Sequence, residues 1–147
     1  MPGLGGMPAE TGRAACWMIF AGVLDKYPGL GVMYAHAGGS FLPTLGRIKH
    51  GHACRPDLVA VDNPKSPDTY LGKFWVDSIT HDERLLKFIL EMQGAERICM
   101  GTDYPFPLGD LEFGKFMEGM NMPESDLMQL FAGATLSWLG MEASEFD

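Results

Sequence analysis

Cysteine is scarce: Cys16, Cys54 and Cys99 are the only three in 147 residues. An odd count without close spacing excludes a disulfide framework and a CxxC metal knuckle. Reduced thiols, two of them in the core, fit a cytoplasmic protein. No apolar run reaches the ~20 residues of a membrane span. Met1–Pro8 (MPGLGGMP) has neither a basic start nor an apolar middle, so it does not read as a signal peptide. Basic residues are outnumbered, 11 Lys and Arg against 19 Asp and Glu, for a net charge of −8. An acidic surface disfavours nucleic acid and membrane lipid as partners, though a pocket for a small carboxylate can still be locally basic. Phosphate loops are missing too. Gly3-Leu4-Gly5-Gly6 follows no strand, Ala37-Gly38-Gly39 lacks GxGxxG or GK[ST] spacing, and no Ser sits in GxSxG.

What is present is globular. Apolar residues make up 46% and charged residues 20%, enough for one core. After Pro8 and Glu10, the apolar residues Cys16, Ile19, Phe20, Val23, Leu24 and Tyr27 recur at helical spacing and predict a helix to about Lys26. Leu30–His36 (LGVMYAH) reads as a buried strand, Ala37-Gly38-Gly39 as a turn, and Ser40–Cys54 as a helix with Pro43 in its first turn. Residues 55–68 are polar and Pro-rich, hence loop. Phe74–Ile79 predicts a second strand and Asp82–Gln93 an amphipathic helix. Leu85, Ile89 and Met92 share one face of that helix; Arg84, Lys87 and Glu91 share another. Arg97–Met100 predicts a third strand and Gly101–Gly109 a rigid loop, followed by short helices to Leu139. Strands alternating with helices predict an α/β fold with a parallel sheet. Three strands are few for a closed structure, since a complete (β/α)8 barrel needs roughly 250 residues.

In such folds the chemistry gathers at the C-terminal ends of the strands. His36, His81 and Asp103 stand at or just beyond those ends. His36, before a Gly pair, suits a general base or metal ligand, or equally a buried structural imidazole. Asp103 suits a divalent metal or a His partner, or a simple Asx-turn. Arg47 suits a carboxylate grip or a solvated helix face. His50 and His52, two apart on a helix, point in different directions and do not pair on a metal. Trp75, Tyr104 and Phe106 are aromatic residues near the cleft. Phe106, between two prolines, is the best wall residue.

Five segments occur in one order across essentially the whole chain: GMPAET (Gly6–Thr11), YAHAGGSF (Tyr34–Phe41), GRIKHG (Gly46–Gly51), RPDL (Arg55–Leu58) and GTDYPFPLGDLE (Gly101–Glu112). Together they resemble the decarboxylase branch of the amidohydrolase superfamily, in particular the aminocarboxymuconate-semialdehyde decarboxylases. The resemblance implies a partial (β/α)8 TIM barrel, comprising the last three or so βα units. It implies one divalent metal, commonly zinc, and no organic cofactor. It implies that His36 is the catalytic imidazole, that Asp103 is a metal ligand and that Phe106 lines the substrate pocket. Arg47 matches an arginine that holds the substrate carboxylate in the neighbouring subunit's site, which implies a homodimer. The implied reaction is non-oxidative loss of CO2 from 2-amino-3-carboxymuconate 6-semialdehyde, in tryptophan–kynurenine catabolism. The family's HxH motif on the first strand, a third metal-binding His on the fifth and an early arginine have no counterpart in this sequence. Ala37 replaces a usual Gly, and Ala134 a frequent Asn. Two alternatives stay open: a sister decarboxylase of hydroxybenzoate-type acids, and a non-catalytic short form that pairs with a full-length subunit.

Overall fold

The computed structural model describes residues 2–146; Met1 and Asp147 lie outside them. Helix α1 (Met7–Phe20) carries Pro8 and Glu10 in its first turn, which suit the exposed N–H groups there, and buries Gly12, Ala15 and Ile19. The helix expected to reach Lys26 is two helices. Gly22 takes a left-handed backbone (φ +66°) and its N–H closes on the Ile19 carbonyl at 2.9 Å. The amide of the buried Asn63 donates to the same carbonyl at 2.7 Å. α2 (Val23–Lys26) then starts afresh.

Three strands follow: β1 (Met33–Tyr34), β2 (Trp75–Asp77) and β3 (Ile98–Cys99). They form one parallel sheet in the order β1-β2-β3, with Tyr34 opposite Val76 and Asp77 opposite Cys99. After β1 come α3 (Phe41–Cys54) and α4 (Pro56–Val59). After β2 comes α5 (Glu83–Gln93), and after β3 come α6 (Lys115–Glu118), α7 (Glu124–Met128) and α8 (Ala134–Leu139). The chain is thus mostly helical around a small parallel sheet, in the expected α-βα-βα-βα order.

The strands are shorter than their apolar runs. At their C-terminal ends, side chains take over the N–H groups that a longer ladder would pair. Asp77 accepts from His36, Ala37 and Ile79, and Ser78 Oγ accepts from Gly101.

Val76, on the central strand, is fully buried. Phe74 packs edge-on against both Tyr34 and Phe41, with ring centroids 5.3 and 5.8 Å apart. Each such side chain contributes about 1.5–3 kcal/mol on burial. On α5 the Asp82 carboxylate caps the first turn by accepting from the Leu85 N–H at 3.0 Å. The buried stripe there is Leu86, Ile89 and Gln93, one residue round from the expected Leu85–Ile89–Met92 face. Leu85 and Met92 flank it, half-buried. Gln93 is drawn inward because its Oε1 accepts from the Gly72 N–H at 2.6 Å. Among the described residues, no helix is long and apolar enough to cross a membrane.

Candidate active site

Four non-glycine residues among those described have positive φ: His36 (+57°), Ala37 (+54°), His81 (+53°) and Asp103 (+54°). All four stand just past the C-terminal ends of the three strands. Left-handed backbone costs an L-residue energy and tends to collect at functional sites. Here it turns the chain sharply away from each strand and aims three polar side chains at one place. His36, His81 and Asp103 line a common cavity of about 430 Å3. The expected convergence is therefore present. Phe106 lines the same cavity, although 61% of its surface is exposed. Leu4, Met7 and Leu108 complete an apolar wall.

Local bonds hold this rim. In the loop after β3 the Phe106 N–H donates to the Asp103 carbonyl at 2.9 Å, and Asp110 N–H to the Thr102 carbonyl at 2.8 Å, closing a compact turn. Gly109 is needed there, since a Cβ would lie 2.5 Å from the Thr102 carbonyl oxygen. His36 Nδ1 lies 3.3 Å from Thr11 Oγ1, on α1. Whichever of the two donates, Nε2 is the ring nitrogen left for chemistry.

Two residues at the site went unnoticed in the sequence. Asp77, the last residue of β2, accepts from the His36 N–H at 2.9 Å and the Ala37 N–H at 2.7 Å. Burial pushes its carboxyl above the ordinary carboxylate value, with the N–H bonds and the nearby His36 charge opposing. A carboxylate inside the apolar run FWVDSI was the available signal, because a buried charge demands partners. Thr11 was visible only as the end of the GMPAET match.

Other candidates lie elsewhere. Arg47 is exposed and faces a cleft between α1 and α3, away from this cavity. No carboxylate lies within ion-pair distance of it among the described residues. Trp75 lines a different cavity at the N-terminal ends of the strands, under the Arg97 guanidinium 4.2 Å from its ring centroid. Tyr104 is exposed and outside the cavity lining. His50 contacts Cys54 and His52 stacks on Phe20, so the two do point apart. Cys99 is buried, Cys16 half-buried and Cys54 exposed.

The donor set falls short of a metal centre. Among the described residues no three His, Cys, Asp or Glu side chains are grouped to hold an ion, and a catalytic zinc site takes three protein ligands. What the rim supplies by itself is two imidazoles and a carboxylate on a largely apolar pocket.

A family model for amidohydrolases matches residues 2–133. The chain belongs to the amidohydrolase family. Within it, the chain is 49% identical over 147 residues to 2-amino-3-carboxymuconate-6-semialdehyde decarboxylase of Dictyostelium discoideum, covering 99% of this chain and 41% of that protein. It is 42% identical over 118 residues to the enzyme of the same name from Caenorhabditis elegans, covering 80% of this chain and 29% of that protein. The chain thus spans well under half the length of these relatives. Among solved structures, 5-carboxyvanillate decarboxylase of Novosphingobium aromaticivorans, bound to manganese and 4-hydroxy-3-methoxy-5-nitrobenzoic acid, superposes with a TM-score of 0.79. That match has 24% identity over 92% of this chain and 40% of the other. At that identity the likeness speaks for the fold.

Proposed function

We propose that this chain is the C-terminal part of a (β/α)8 barrel that releases CO2 from 2-amino-3-carboxymuconate 6-semialdehyde. The observation that carries the reading is the meeting of His36, Asp103 and Phe106 in one cavity at the strand ends. The 49% and 42% identities favour this substrate over a hydroxybenzoate-type acid. The missing barrel strands would carry the HxH motif and the further histidine, and β1 and β3 offer free edges to pair with them.

Decarboxylation breaks the bond between the carboxyl carbon and the carbon of the open conjugated chain that bears it. The electron pair stays on the substrate, delocalised into the conjugated semialdehyde, and that carbon then takes a proton in place of CO2. His36 is the group for this proton, with Nδ1 held at Thr11 and Nε2 unpartnered among the described residues. The apolar wall of Phe106, Leu108 and Leu4, once covered by the remaining barrel, would keep water from the departing carboxylate and so favour its loss as neutral CO2. Asp103 would contribute one ligand to a divalent ion, for which we favour zinc; manganese is the ion held by the Novosphingobium enzyme. A metal at this rim supplies electrophilic stabilisation of developing negative charge. Arg47, exposed and without an ion-pair partner, would grip the substrate carboxylate of a second copy in a homodimer. Three free thiols favour a reducing, cytoplasmic setting.

The test is CO2 release from the semialdehyde by a polypeptide that joins this chain to the HxH-bearing strands. H36Q should lower the rate by about 10²–10⁴. Release from hydroxybenzoates and none from the semialdehyde would favour the sister activity.

A further inference from the structure

We propose that Asp77 is the positioning residue that keeps the His36 imidazole in the cavity, by clamping the backbone of two consecutive left-handed residues. The inference rests on the reading of His36 as the proton-transfer group and adds to it a residue that does not line the cavity.

The clamp is bidentate and crosses strands. Asp77 ends the central strand β2, and its two oxygens reach to the end of β1. Oδ2 accepts from the His36 N–H at 2.9 Å and Oδ1 from the Ala37 N–H at 2.7 Å. Oδ1 also accepts from the Ile79 N–H at 3.1 Å, which ties the carboxylate to its own strand. Each oxygen therefore holds one residue of a strained pair, with φ of +57° and +54°. Such a pair persists only where its surroundings over-determine it. Without acceptors for their N–H groups, His36 and Ala37 would relax toward ordinary backbone. The imidazole would leave with them, because the Cα–Cβ direction follows the backbone.

The third strand locks the clamp in place. A Cβ built on Gly101 would lie 2.8 Å from Asp77 Cβ, so the chain after β3 passes directly over the aspartate. Gly101 also donates its N–H to Ser78 Oγ at 3.1 Å. Asp103 follows two residues later. One side chain thus sets the spacing between the His36 end and the Asp103 end of the rim. Ala37 makes the clamp necessary, since glycine at that position would adopt positive φ at little cost.

The deciding experiment is a double-mutant cycle of D77A with A37G. Two readouts use this chain as it stands: amide hydrogen exchange at residues 36 and 37, and the nuclear Overhauser contact between the His36 ring and Thr11. A third is kcat and KM for semialdehyde decarboxylation by the polypeptide with the HxH-bearing strands. D77A should speed exchange at both amides, weaken the ring contact and lower kcat by about a hundredfold, as an ångström-scale misplacement does, with KM nearly unchanged. A37G should restore much of the ring contact and of kcat in the D77A background, because the unclamped backbone then no longer strains. An identical D77A loss with and without A37G overturns the proposal. If D77A does not fold, D77N leaves one acceptor in place. A smaller loss, again relieved by A37G, supports the clamp; an unrelieved one refutes it. If the wild-type polypeptide releases no CO2, the decarboxylase reading fails, and the exchange and ring-contact readouts still decide the clamp.

Discussion

Gly39→Ala and Gly46→Ala are the same substitution on adjoining stretches of chain, and the structure assigns them opposite signs. Gly39 has φ +59° and ψ −132°, a conformation open essentially to glycine alone. A Cβ there would sit 2.2 Å from the Pro8 carbonyl oxygen and 2.9 Å from Thr11 Cβ. Pro8 cannot retreat freely, because its carbonyl accepts from the Ser40 N–H at 3.0 Å. The backbone strain costs about 1–3 kcal/mol, and the forced shift of α1 about 1–3 kcal/mol more. On a protein of this size that total lowers the melting temperature by about 4–24 °C. Gly46 lies inside α3 with nothing near its Cβ position. Alanine there should stabilise by about 0.5–1 kcal/mol, a rise of about 1–4 °C. Thermal melting of both variants in one buffer is the assay. In the polypeptide that also carries the HxH-bearing strands, under the proposed activity, Gly39→Ala should also depress CO2 release, since the displaced α1 carries Thr11 away from His36. A Gly39→Ala protein melting within about a degree of wild type would refute the packing of α1 against the His36 turn.

Leu86→Ala empties a fully buried position on α5 and should cost about 2–5 kcal/mol in urea denaturation; a cost below that range would contradict the inward face assigned to this helix. In the polypeptide that also carries the HxH-bearing strands, Asp103→Asn should leave melting nearly unchanged while reducing bound divalent metal by about tenfold or more, and unaltered metal content would remove Asp103 from the ligand set. Asp77 and Asp82 should titrate on opposite sides of the ordinary value of 3.8, Asp77 above it through burial and Asp82 below it through Arg84 and the Leu85 N–H. The folded state holds the Asp77 proton longer than the unfolded chain, so this group removes stability as pH rises from 3.8 through its folded pKa. The stability difference between D77N and wild type should therefore move in favour of D77N across that rise. Movement the other way in paired denaturation curves would show that Asp77 is not raised.

Much of the fold was legible because it is written in local periodicity. The apolar runs around Met33, Val76 and Ile98, with helical patterns between them, specified the βα order and the parallel sheet. The helical patterns opening at Pro8 and Asp82 placed two helix starts within a residue. Strand ends were not legible: LGVMYAH and FWVDSI are mostly apolar over six or seven residues, yet the paired segments are two or three residues long. The stopping point was set by Asp77 and Ser78 intercepting neighbouring N–H groups. The face of α5 was off by one residue, because Gln93 turns inward to meet Gly72, a contact between segments far apart in sequence. At the site, His36, His81, Asp103 and Phe106 were found from their place after strands. Tyr104 and Trp75 were grouped with them, and neither lines the cavity.

By itself, then, the sequence determined the kinds of element, their order and the polar residues following each strand, since these depend on side-chain periodicity and turn chemistry within a few residues. Tertiary structure alone decided that His36, His81 and Asp103 share one pocket while Arg47 faces another. It also decided that an aspartate in an apolar strand grips the backbone beside it. Those outcomes depend on which segments meet, and a hydrogen bond across 40 residues of chain leaves no local trace in the order of the amino acids.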